Sequence, residues 1–137
     1  MSETRVEVLS DIQCFALLGQ MPVGRIGITV GALPVILPVN FATVDGSVIF
    51  RTVPGTKLSA ATANNVVAFE VDSYEPDGRS GWSVLVQGIA SEVTDPASVR
   101  RSLAALGTPW GVAEVADRVV TIEMERISGR RFGMTAK

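Results

Sequence analysis

A mainly β, α+β domain is the fold this sequence predicts: six strands, mostly antiparallel, rolled into a small barrel with short flanking helices. Three observations carry it. Much of the chain falls into runs where apolar residues recur at every second position, the period of a strand with one buried face. Turn signals join neighbouring runs, Asp45-Gly46 above all, so hairpins outnumber crossovers. Three short stretches have helical spacing, which gives the order α-β-β-β-α-β-β-α-β. The 137 residues make one domain, with 1–8 and 133–137 expected to be loose ends.

The first helix starts at Ser10, with Gln13 three residues later completing a capping box. Leu9 and Cys14 stand at the staple positions, Leu9, Ile12, Phe15 and Ala16 recur at helical spacing, and Gly19 closes the helix. Gly24 to Gly31 is the first strand, with Ile26, Ile28 and Val30 on one face. Ala32-Leu33-Pro34 is expected to turn the chain into a second strand, Val35 to Val44, where Val35, Leu37, Val39 and Phe41 share a face. Pro38 cannot donate to a ladder, so that strand is expected to be unpaired on one side or bulged there. Asn40 beside it is either a satisfied core amide or a ligand contact.

After Asp45-Gly46 comes the stretch that organises the chain. Val48, Phe50 and Thr52 lie on one face of a strand, with Ile49, Arg51 and Val53 on the other. Pro54-Gly55 then turns, and Thr56 caps a short helix through Leu58, Ala60, Ala61 and Ala63. Amides at a helix start favour anions, and Arg51, Thr52, Thr56 and Lys57 add two charges and two hydroxyls beside them. The stretch reads as a cradle for one phosphate or, more blandly, as an ordinary connection with solvated charges.

Asn64-Asn65 breaks the pattern before a fourth strand, Val66 to Asp72. Ser73 to Gly81 is a loop, and Trp82 to Val93 is a long fifth strand whose Gly88 signals a bulge or a close backbone approach. Asp95 caps and Pro96 opens the last helix, with Val99, Leu103 and Leu106 on its buried side and Gly107 at its end. Thr108-Pro109-Trp110-Gly111 is irregular, Val119 to Ile127 is the sixth strand, and Ser128-Gly129-Arg130-Arg131-Phe132 closes the fold.

Composition narrows the chemistry. Hydrophobic residues make up 47% and charged residues 19%. That is apolar for so short a soluble chain and points to surface covered by a second subunit. Net charge is −2 with no basic run, which argues against nucleic acid or an anionic membrane as partner. The N-terminus lacks a signal-peptide core and no apolar run could span a bilayer, so a cytoplasmic protein is expected. There is no histidine and one cysteine, so His-based triads, His-ligated haem and most zinc sites are excluded, and no metal site is expected. Glu70 with Asp72, and Glu123 with Glu125, share strand faces and read most simply as a wet sheet surface. Redox chemistry would therefore belong to a bound cofactor.

Gly24-Arg25-Ile26-Gly27, Leu37-Pro38-Val39-Asn40-Phe41, Phe50-Arg51-Thr52 and Gly55-Thr56-Lys57-Leu58 follow one another in a telling order. With Phe69-Glu70-Val71-Asp72, the run from Gly81 to Gly88 and Ile127 to Phe132, the series resembles the pyridoxamine 5′-phosphate oxidase-like flavin-binding split barrels over roughly residues 8–132. The resemblance implies a six-stranded split barrel that forms a homodimer, with two cofactor sites at the subunit interface. It implies that Arg51, Thr52, Thr56 and Lys57, with Leu58, hold the phosphate of FMN or of the 8-hydroxy-5-deazaflavin coenzyme. Val39, Asn40 and Phe41 would line the ring edge, and Trp82 and Gln87 would approach from the neighbouring subunit. Trp82 reads equally as interface packing. The oxidase itself carries a C-terminal Arg-x-His pattern, whereas this chain has Arg130-Arg131-Phe132, so pyridoxamine phosphate is not expected as substrate. The expectation is an oxidoreductase acting by cofactor-mediated hydride transfer on a small molecule. The alternative is a module that binds or stores a flavin-like ligand without turnover, or a dimeric barrel that has lost its cofactor.

Overall fold

Alternation of inward and outward side chains closes this sheet on itself. The computed structural model describes residues 3–107 and 118–135. Its elements are β1 (Glu3–Val8), α1 (Asp11–Leu18), β2 (Val23–Val30), β3 (Leu33–Val44), β4 (Ser47–Thr52), α2 (Lys57–Ala61), β5 (Asn65–Tyr74), β6 (Gly81–Glu92), α3 (Pro96–Leu106) and β7 (Arg118–Thr135). The sheet order is β1-β7-β4-β3-β2-β5-β6, and a further β6–β7 pairing closes a ring of six antiparallel strands with β1 attached outside it. The predicted six-stranded antiparallel barrel is thus present, with a seventh strand beside it.

That seventh strand corrects the expectation of loose ends. Glu3 to Val8 pair in register with Thr135 to Arg130. Val6 and Val8 alternate with Arg5 and Glu7, a period-two pattern, and Glu7 Oε1 lies 3.7 Å from Arg131 Nη1 across the pair. β7 is likewise one continuous strand of 18 residues, so Ser128 to Phe132 extend it rather than close the fold separately. Its first half pairs with β4 and its last with β1. Between these pairings α1 packs against β7, with Cys14 over Gly129.

The core lies inside the ring. Phe50, Phe69, Ile26, Ile122, Val48, Val71, Val84 and Val86 are fully buried, and Phe41 meets Phe69 edge-on at 4.9 Å. The Ser10–Gln13 capping box forms as read, as does the Asp95 cap with Pro96 in the first turn of α3. Asp45 and Gly46 both take positive φ, the turn that continues strand twist in a two-residue hairpin. The other hairpin differs from expectation. Gly31 and Ala32 turn at positive φ, and Leu33 and Pro34 already belong to β3. The Ser73–Gly81 loop shortens to residues 75–80, because β5 and β6 pair as far as Tyr74↔Gly81. α2 stops at Ala61, short of Ala63. In α3 Val99, Leu103 and Leu106 are only half-buried, and Ser102 is the buried residue. The irregular segment Thr108–Gly111 lies outside the described residues.

Gly88 does what its position suggested. The β6–β7 register shifts between Gln87 and Gly88, and a Cβ on Gly88 would come within 1.9 Å of the Glu123 carbonyl oxygen. Pro38 also sits where its missing N–H costs nothing. β3 pairs with β4 only over residues 41–44, so among the described residues 33–40 pair with β2 alone.

Candidate functional site

The segment after β4 is built by local hydrogen bonds. Gly55 turns at φ +85. Thr56 Oγ1 donates to the Val53 carbonyl at 2.8 Å and accepts from the Ser59 amide at 3.1 Å, so its hydroxyl is committed to the turn and the cap. The amides of Lys57 and Leu58, first and second in α2, have no intrahelical acceptor by geometry. The Lys57 side chain is exposed, and no carboxylate among the described residues pairs with it. Leu58 packs onto the core edge and anchors the turn.

Arg51 points elsewhere. It lies on the face of β4 opposite Thr52, and its Nη2 donates to the carbonyls of Gly107 at 2.6 Å and Leu103 at 3.4 Å. It caps the C-terminus of α3, where a cation also meets the negative end of the helix dipole. Among the described residues its Nε is buried without a partner. Neither the phosphate cradle nor the solvated-charge reading anticipated that docking.

Thr52 is buried inside the barrel end, and its hydroxyl accepts from Arg118 Nη1 at 3.1 Å. The same nitrogen lies 3.2 Å from the Ser59 carbonyl and 3.3 Å from Thr62 Oγ1, while Nε meets Glu92 at 3.3 Å. Sequence reasoning missed Arg118. It stands one residue before an apolar run, with no spacing to tie it to Thr52 or Thr62, and only the closed ring brings them together.

The remaining predicted residues divide by strand face. Val39 and Phe41 point into the core, so a ligand outside the barrel could meet only their backbones. Asn40 points outward, half-buried, and donates from Nδ2 to the Pro22 carbonyl at 3.3 Å. Trp82 faces inward and packs against the core cluster, whereas Gln87 is exposed on the outer face of β6. Within one chain the structure gathers Arg51 to Leu58 by continuity and separates Trp82 from Gln87.

The outer face of β3, β2, β5 and β6 carries a groove of about 370 Å³ lined by Arg25, Gly27, Ile36, Ala68, Glu70, Asp72 and Leu85. Gly27 and Ala68 form its floor because they have little side chain. Arg25 Nη1 lies 3.3 Å from Glu70 and 3.0 Å from Asp72. Burial, with the hydrogen bond and repulsion from Asp72, raises the Glu70 carboxyl to about 7 despite Arg25. Burial outweighs the ion pair because Arg25 itself is more than half exposed and well hydrated.

Comparison with known proteins places this architecture. A family model for pyridoxamine 5′-phosphate oxidase matches residues 10–131. An uncharacterised protein of Mycobacterium tuberculosis is 42% identical over 136 residues, covering 96% of this chain and 88% of that one. A solved FAD-binding protein of Mycobacterium smegmatis is 37% identical, with TM-score 0.77, covering 91% of this chain and 97% of that one. A solved protein of Corynebacterium glutamicum, described as a putative pyridoxamine 5′-phosphate oxidase, is 27% identical with TM-score 0.81, covering 94% and 99%. A matching model across nearly the whole ring, on a closed six-strand barrel, means that the chain belongs to the pyridoxamine 5′-phosphate oxidase-like split-barrel family.

Proposed function

We propose that this chain is a homodimeric flavin-binding protein and an oxidoreductase, taking FMN or FAD, with the 8-hydroxy-5-deazaflavin coenzyme as the alternative. The observation that carries the reading is the likeness over 91% of the chain to the FAD-binding protein of M. smegmatis. The local chemistry fits a phosphate-bearing flavin. An exposed Lys57 and the amides of Lys57 and Leu58 converge beside Gly55, where no atom of the described residues lies within 4 Å of a Cβ position. Arg51, Thr52 and Thr56 serve this site indirectly, through the strand end and turn they hold.

When bound, the flavin supplies hydride chemistry. Lys57 and the two amides bind its phosphate. Asn40 and the free side of β3 border the ring, and the exposed Gln87 of a second copy completes the enclosure, whereas Trp82 stays packed against its own core. The apolar outer face, with Ile36 71% and Val66 75% exposed, supports the dimer.

Fluorescence titration with FMN, FAD and the deazaflavin coenzyme tests the reading. Saturation at one ligand per chain is expected, and Lys57→Ala should weaken FMN about tenfold or more, the worth of one charged hydrogen bond. No saturation by any of the three sinks it. Saturation without turnover, using a reduced cofactor and an electron acceptor, would leave a carrier rather than an enzyme.

A further inference from the structure

The segment proposed to hold the flavin phosphate has weak means of holding itself. α2 is five residues long, too short to be stable alone. Among the described residues, the hydrogen bonds of Val53 to Leu58 are all local, made within residues 53–62. Leu58 and Ala61 pack the segment onto the core, and the polar tie between its two ends is Arg118. Its side chain is 10% exposed. A guanidinium so far from water must find acceptors, and those it finds stand on both sides of the turn: Thr52 before it, Ser59 and Thr62 after it. Glu92, at the rim, balances the charge from the other side. A single planar group thus spans the gap that the turn crosses.

We propose that Arg118 is the positioning residue of the cofactor site, clamping Thr52 to Ser59 and Thr62 so that the intervening turn, with Lys57, is held in its phosphate-binding shape before the flavin arrives. The proposal rests on the flavin reading above. A preformed turn avoids the ordering cost at the moment of binding. That advantage applies only to ligands whose phosphate uses the turn.

Riboflavin, which has the same ring as FMN and no phosphate, separates this role from a merely structural one. In Arg118→Met, FMN affinity should fall about tenfold or more while riboflavin affinity stays as in the unaltered chain. Arg118→Lys keeps the charge but reaches fewer of the oxygens, and should fall between. Equal losses for both flavins, or no loss for either, overturn the proposal. Hydrogen exchange on the ligand-free protein reads the clamp without any flavin: the Ser59 and Thr62 amides should exchange about tenfold faster in Arg118→Met, and unchanged exchange overturns it. Should Arg118→Met not fold, Arg118→Lys carries the same two comparisons. If the unaltered chain takes up none of FMN, FAD and the deazaflavin coenzyme, the flavin reading fails and Arg118 loses its role in it, whatever the exchange rates say about the clamp.

Discussion

Two arginines near one turn have opposite consequences. Arg51 spends its charge on the carbonyls that end α3, and Arg118 on the oxygens that flank the turn. Arg51→Ala should therefore lower stability by about 1–3 kcal/mol in chemical denaturation, the cost of leaving carbonyls unmet. It should leave the ratio of FMN to riboflavin affinity unchanged, unlike Lys57→Ala. A shift in that ratio would return Arg51 to the phosphate. Glu70 makes a different prediction. Its folded carboxyl holds a proton up to about 7, against 4.5 ordinarily. The folded chain thus binds this proton more tightly than the unfolded one. The stability it lends is complete below about pH 4.5 and is lost as pH rises through about 7. Urea midpoints of the unaltered protein should fall across that window relative to Glu70→Gln, and parallel curves would contradict the shift.

Elements in this fold hold shape through a few close contacts. The bulge at Glu125 of β7 brings its backbone against Gly88, and the nearest atom to any added Cβ is the Glu123 carbonyl oxygen, which cannot swing aside as a side chain would. Gly88→Ala should destabilise by more than about 2 kcal/mol, within the range of backbone strain. An unchanged midpoint of thermal unfolding would mean the strands part without cost. Gly24 differs, since a Cβ there would strike the tip of the Phe69 ring, a side chain that could move only by disturbing the core. At α1, Ser10→Ala removes one half of a capping box on an exposed turn and should cost only about 1 kcal/mol.

For the whole molecule, the outer sheet face is the surface that the proposed dimer would cover. Ile36 and Leu85 flank a groove with a glycine and an alanine at its floor, and a charged cluster at one end. The proposed dimer covers this face. Ile36→Asp changes an exposed residue, so the barrel should still fold, while sedimentation should shift from dimer toward monomer. A dimer that persists would place the interface elsewhere.

Much of the architecture was legible in the chain because its signals are local. Caps at Ser10, Thr56 and Asp95, the Asp45-Gly46 hairpin, the close approach at Gly88 and the alternating faces of β2 to β6 each depend on residues a few positions apart. The family was legible from ordered short blocks. The turn beside Lys57 was legible, and so was the split of Val39 and Phe41 from Asn40 onto opposite faces, but not which of the two faces is buried. What only the tertiary structure decided was pairing at long range. Glu3 to Val8 look like a frayed tail until β7 offers an edge. Arg51 looks like a phosphate ligand until α3 brings its carbonyls beside it. Arg118 has no local signal at all, because its acceptors lie far from it in sequence and meet it only when the six strands close. A side chain's neighbours along the chain set its face, but its charge is satisfied by whatever the ring brings near, and sequence spacing carries no record of that.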